Sequence, residues 1–169
     1  MGTKERELKP KVLLTSESLQ EQLAELREAN GRLEHSEAQL REALSGFQLA
    51  ADGSLAGLFI FQDGRFSYVN PAFAEIFGLE RQQILDEVLP EDLAHPDDAP
   101  KLREFIRRRL EGETASVRFL YRGLRADGST VQCEEFGRAV QLNGRPAIVG
   151  TVLDVSAREA AQEGLIESE

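Results

Sequence analysis

One cysteine, Cys133, is all this chain has, so no intramolecular disulfide is open to it and a reducing compartment is the natural reading. No apolar run approaches the roughly 20 residues of a bilayer span, and Met1 to Pro10 is charged without the apolar core of a signal peptide. These absences predict a cytoplasmic location and no membrane insertion by this fragment, while a larger parent protein stays free to be membrane-attached. Basic charge is short as well. Twenty Lys and Arg against thirty Asp and Glu leave a net charge of −10, which argues against nucleic acid as a partner. A nucleophile with its base, a Gly-rich phosphate loop and metal-spaced ligands are all missing, so the chain is not expected to be an enzyme, whatever catalytic output its parent carries. Apolar residues at 41% and charged residues at 30% are ordinary globular usage and exclude wholesale disorder. At 169 residues the chain has room for one domain and flanking segments.

Residues 1–15 read as a flexible segment. From Ser16 to about Phe47 there is no proline, and Gly31 and Gly46 are the only breakers, which predicts a long helix over 16–47. Ser18 and Glu21 fit a capping box at its start. Leu19, Leu26, Leu33 and Leu40 repeat every seven residues, with Leu23, Asn30, Glu37 and Leu44 between them. Leucine at d with one Asn at a favours a parallel two-stranded coiled coil, because two facing Asn side chains satisfy each other only in register. The predicted partner is a second copy of this chain, as a parallel homodimer. An amphipathic helix packed on its own domain would show much of the same pattern. Glu37 at a and Gly31 weaken the seam locally, and the e and g positions carry no strong charge code.

Gly57 to Gln62 and Arg65 to Asn70 flank Asp63-Gly64, a tight hairpin signal. Asn70-Pro71 starts a short helix carrying Phe73, Ile76 and Phe77, which Gly78 ends. Short pieces follow at Arg81 to Leu85 and Pro90 to Leu93. A longer helix from about Asp97 to Leu110 presents Leu102, Phe105, Ile106 and Leu110 on one face. Ala115 to Arg125, Thr130 to Leu142 and Arg145 to Val155 read as three more strands, joined at Asp127-Gly128 and Asn143-Gly144. Helices grouped between blocks of antiparallel strands mean α+β.

Tyr68-Val69-Asn70-Pro71-Ala72-Phe73, His95-Pro96-Asp97-Asp98, Arg125-Ala126-Asp127-Gly128-Ser129 and Gly150-Thr151-Val152-Leu153-Asp154-Val155-Ser156 occur in an order and spacing that resemble a PAS domain of the sensory-box type, roughly over Phe47 to Arg158. The resemblance implies a five-stranded antiparallel sheet with short helices on one face, over 48–156, and a pocket between them that is packed or holds a ligand. It also implies a sensory or dimerisation module linked covalently to signalling domains, such as those of histidine kinases and diguanylate cyclases. Residues 157–169 then form an exit helix or linker. Leu165-Ile166-Glu167-Ser168-Glu169 is similar to Leu33-Glu34-His35-Ser36-Glu37, which suggests a tandem array as readily as a coincidence of short polar strings.

The resemblance also tests cofactors. Flavin-binding photoreceptors of the LOV subclass need an Asn-Cys-Arg motif, and no Cys lies between Asn70 and Leu110. The oxygen-sensing haem subclass carries a His where Leu102 stands. His95 is the remaining haem candidate, although the family pattern makes Asp97 or Asp98 the cap of the next helix. Non-covalent flavin needs no diagnostic residue, and the cofactor is left unknown. A small-molecule ligand would meet Phe59, Phe61, Tyr68, Phe73, Ile76, Leu102, Phe105, Phe119 and Tyr121. Along the strand from Thr130, Cys133 and Glu135 share a face with Val131. An inward Glu135 would read a polar ligand, since a buried acid needs a partner or a proton. A solvated Glu135 is the simpler expectation, and Cys133 reads as a small core residue. Asp154, Ser156 and Arg158 sit where the last strand becomes the exit helix, and short polar contacts among them would stiffen that junction.

Replacing Asn30 with Leu tests the seam. Analytical ultracentrifugation is expected to show mixed assemblies in place of a unique dimer; an unchanged species would put Asn30 on the surface.

Overall fold

The computed structural model describes residues 8–113, 116–158 and 160–161. Residues 1–7, 114–115, 159 and 162–169, with the Leu165 to Glu169 string, lie outside the described residues. The chain divides into two compact units, Met1–Leu49 and Ala50–Glu169.

The described residues of the first unit form a helix. α1 runs Leu8–Asp52, longer than expected at both ends, and continues through Gly31 and Gly46. The described helix includes Pro10, and Ser18 lies inside it rather than at its cap. Leu19, Leu23, Leu26, Leu33, Leu40 and Leu44 are exposed along it. Arg32 and Glu28 pair one turn apart, 3.5 Å between charged atoms. No described helix is long and apolar enough to cross a membrane.

The second unit opens with β1 (Gly57–Gln62) and β2 (Arg65–Val69). Then come α2 (Pro71–Phe77), α3 (Arg81–Glu87), a 3₁₀ turn (Pro90–Leu93) and α4 (Ala99–Leu110). β3 (Ser116–Leu124), β4 (Thr130–Leu142) and β5 (Arg145–Asp154) complete it. The five strands form one antiparallel sheet in the order β2-β1-β5-β4-β3. Two hairpins close as expected, because Asp63-Gly64 and Asn143-Gly144 both take positive φ, the twist that suits a two-residue turn. Residues 156–158 and 160–161 are helical.

One face of the sheet is buried under the helices. Phe59, Phe61 and Phe66 meet Phe73 and Phe77 of α2 in a chain of ring contacts with centroids 5.1–6.0 Å apart. Each such pair adds about 0.5–1.5 kcal/mol beyond its buried area. Ile84, Leu93, Leu102, Ile148 and Val152 complete the layer. In β4 and β5, Gly137 faces Gly150. A Cβ at Gly150 would lie 2.6 Å from the Phe59 ring, and one at Gly137 would lie 2.4 Å from the Arg109 guanidinium. The sheet thus leaves room there for a ring and a cation.

Asn70, fully buried, uses every polar position it has. Its Oδ1 accepts from Phe73 N, capping α2, and from Leu58 N of β1, at 3.0 and 2.7 Å. Its Nδ2 donates to the carbonyls of Ala51 and Ala56 at 2.8 and 3.0 Å. Asn70→Ala is expected to remove at least about 3 kcal/mol in urea unfolding, because each buried group left unpaired costs about 1–3 kcal/mol; a loss near that of a simple cap, about 1 kcal/mol, would contradict this account.

Candidate functional site

Between the sheet and the helices lies a cavity of about 20 Å³, room for about one water molecule. Of the residues expected around it, Phe59, Phe61, Phe73, Leu102, Tyr121 and Glu135 line it. Phe66, Pro90, Leu93, Ile106, Ile148 and Val152 also line it and were missed. Tyr68, Ile76, Phe105, Phe119 and Cys133 do not.

Each displacement has a cause. In β2 the pairing passes from Phe61↔Phe66 to Ile60↔Tyr68, so Ser67 is an extra residue and the in–out alternation inverts after it. Val69 is therefore buried, and Tyr68 sits half-buried with the Arg81 guanidinium 5.9 Å from its ring centre. Ile76 packs on the core beside Gly57, away from the cavity. Phe105 and Phe119 stack on each other at 4.5 Å, beside a surface groove with Lys101 and Arg108. Cys133 is buried next to Gly123, and burial pushes its thiol up to about 12, so it is not a ready thiolate.

Glu135 corrects the solvated expectation. It is buried, and its Oε1 accepts from Nη1 of Arg109 at 2.5 Å; that guanidinium is itself fully buried. Arg109 ends the face of α4 that begins with Leu102 and Ile106, a spacing of four and then three residues. Its guanidinium lies 3.9 Å from the ring centre of Phe105, so the Phe105–Phe119 stack roofs the ion pair instead of lining the cavity. Burial raises the Glu135 carboxyl above its ordinary range, and Arg109 pulls the other way. Tyr121, also enclosed, is held well above the usual phenol range by burial and by Cys133 and Glu135.

His95 lies outside the lining. Its ring Nδ1 accepts from Asp97 N at 3.3 Å, and its carbonyl accepts the N–H groups of Asp98 and Ala99. Asp98 stands at the helix start without capping it. Its carboxylate instead takes Arg122 through both the backbone N–H and the guanidinium, which lowers it to about 2. Asp97 makes no cap with its side chain either, and its Oδ2 lies 3.4 Å from Arg122. A space of about 20 Å³ walled by phenylalanines does not fit a porphyrin or a flavin ring as it stands. Among the described residues, no three His, Cys, Asp or Glu side chains gather as metal ligands.

The last strand leaves the sheet through a net of short contacts. Asp154 Oδ1 accepts from Ser156 N at 3.0 Å, and its Oδ2 accepts from Arg125 Nη2 at 2.8 Å. Ser156 Oγ accepts from Gln132 N, and Val155 N donates to the Gln132 carbonyl. Arg158 reaches not Asp154 but Glu134, at 4.0 Å, and Glu134 also binds Arg118. Sequence reasoning missed Arg125. Its Nε donates to the Ile76 carbonyl at the end of α2 while its Nη2 holds Asp154.

The ion pair is checked by a double-mutant cycle. Arg109→Met and Glu135→Leu are each expected to cost about 3–5 kcal/mol, and the double variant to recover most of that, since a buried pair is replaceable by apolar groups more cheaply than it is broken. Additive losses would mean that the two side chains do not share one interaction.

No curated protein matches the chain. The domain resembles the PAS domain of an HTR-like protein from Haloarcula marismortui at TM-score 0.62 and 20% identity, over 72% of this chain and 98% of that one. A sensory box histidine kinase/response regulator from Burkholderia thailandensis E264 aligns at TM-score 0.55 and 29% identity, covering 72% and 93%. The N-terminal domain of a diguanylate cyclase with PAS/PAC sensor from Marinobacter aquaeolei aligns at 0.52 and 21%, covering 62% and 98%. The sequence model of the PAS fold matches residues 47–155, the span that holds the cavity, the buried ion pair and the junction, and the chain belongs to the PAS family.

Proposed function

We propose that this chain is a non-catalytic PAS sensory and dimerisation module, which couples the state of its core to helix pairing in a cytoplasmic signal-transduction protein such as a histidine kinase or a diguanylate cyclase. The observation that carries this is α2. Its first turn is capped by Asn70, which also holds Ala51 and Ala56 where the chain comes into the domain. Its last turn gives the Ile76 carbonyl to Arg125, which grips Asp154 where the chain leaves. Between those two points α2 puts Phe73 into the cavity wall. A change in the cavity that moves Phe73 therefore loads both ends of one seven-residue helix. The partner is a second copy of the chain, paired in parallel through Leu19, Leu23, Leu26, Asn30, Leu33, Leu40 and Leu44, with further signalling domains joined covalently.

A second reading, a ligand-free dimerisation scaffold, is favoured by one observation: the aromatic core nearly fills its own cavity. Arg125→Met separates the two. In the coupled module, hydrogen exchange at the end of α2 and over 155–158 is expected to rise about tenfold, equivalent to about 1.4 kcal/mol of local stability. The rate of disulfide cross-linking through Leu33→Cys, in a Cys133→Ser background, is expected to shift with it. In a scaffold, cross-linking proceeds at the same rate with and without Arg125.

A further inference from the structure

The cavity wall holds one carboxylate and one phenol, Glu135 and Tyr121, among otherwise apolar side chains, and only half of the carboxylate is used. Glu135 Oε1 takes the Arg109 hydrogen, whereas no described residue donates to Oε2. Glu135 lines the cavity and Arg109 does not, so the open acceptor belongs to the cavity side of the pair. The pair is also purpose-fitted in space. A side chain at Gly137 would strike the guanidinium and come within 3.1 Å of Glu135 Oε1, and Phe105 seals the cation from the other side.

Charge decides what such a wall accepts. Arg109 already balances Glu135, so the site as built is neutral. A cation or an anion would bring an uncompensated charge into an apolar chamber, which costs several kcal/mol after relaxation. An apolar molecule without a donor would leave Oε2 unpaired, and an unmet acceptor away from water is penalised. Aromatic rings make up much of the remaining wall, with Phe59, Phe66 and Phe73 at 5.3–6.0 Å from one another, and they favour a flat partner that stacks or meets them edge-on.

We infer that the cavity is a site for a small, neutral, flat molecule carrying one N–H or O–H, which donates its hydrogen to Glu135 Oε2, and that Glu135 is the residue that sets this preference. One water is the largest occupant of the cavity as it stands. A ring requires the phenylalanines of β1, β2 and α2 to turn aside, and Phe73 is the wall residue on α2. The inference rests on the sensory reading above and supplies the chemistry of its ligand.

Pyrrole and furan form the test, two five-membered rings of nearly equal size of which only pyrrole donates a hydrogen bond. Each is titrated into the full chain with ¹³C-labelled Ile, Leu and Val methyls, following Leu102, Ile106, Ile148 and Val152. Pyrrole is expected to give saturable shifts at those methyls with at least about tenfold higher affinity than furan, as a hydrogen bond to a charged group predicts. Acetate and methylammonium are expected to give none. In the Arg109→Met, Glu135→Leu double variant, which keeps the core filled, pyrrole and furan are expected to bind alike. Equal affinities in the unaltered chain, no saturable shift from pyrrole, or a pyrrole preference that survives the double variant would each overturn the inference. Arg125→Met read alongside keeps the two proposals apart. Pyrrole selectivity with unchanged cross-linking removes the coupling and keeps the site, and changed cross-linking without pyrrole selectivity removes the site and keeps the coupling.

Discussion

A guanidinium that no water reaches dictates much of what surrounds it. Arg109 is fully buried at the end of α4, and stripping such a group of water costs several kcal/mol unless its surroundings repay it. The fold repays it three times over: a carboxylate from β4, the face of Phe105, and a missing side chain at Gly137. These constraints reach further than the pair. Phe105 is withdrawn from the cavity to serve as the roof, and Phe119 is drawn after it into the stack. Glu135 is committed to one oxygen inside the ion pair and one outside it. The ion pair ties the end of α4 to β4 and places the carboxylate in the cavity wall.

The succession of strands and helices, the hairpins and the α+β layout were legible because they rest on local signals. Asn-Gly and Asp-Gly in tight turns, Asn70-Pro71 at a helix start and alternation along β4 all act over a few residues. The inward side of Glu135 was legible too, as one of two options, from its parity with Val131 and Cys133. Its partner was not. Arg109 follows Arg107 and Arg108, and such a basic run at a helix end reads as solvated, although its spacing from Leu102 and Ile106 puts it on the buried face. An ion pair between residues 26 apart in sequence is a tertiary event that no local pattern records.

The other differences have equally particular causes. One extra residue in β2 inverted the faces of Tyr68 and Val69, and a bulge is invisible in composition. Asp98 has the right chemistry and position for a cap, yet Arg122 on the neighbouring strand offers it three hydrogen bonds and wins. Ser18 and Glu21 imitate a helix start in mid-helix because the same side chains are also acceptable on an exposed helical surface. For Asp98 the local preference was real and a longer-range partner outbid it.

α2 is held at both ends by side chains from elsewhere, Asn70 before it and Arg125 after it. At 1.5 Å per residue its seven residues span about 10 Å, and each residue turns the helix by about 100°. A single insertion or deletion inside it would swing the Ile76 carbonyl away from Arg125 while Asn70 kept the other end in place. Loops elsewhere in the domain have no such phase to keep. Length variation among relatives that preserve both clamps must therefore fall outside this helix, and a relative that has lost Arg125 is released from that restriction.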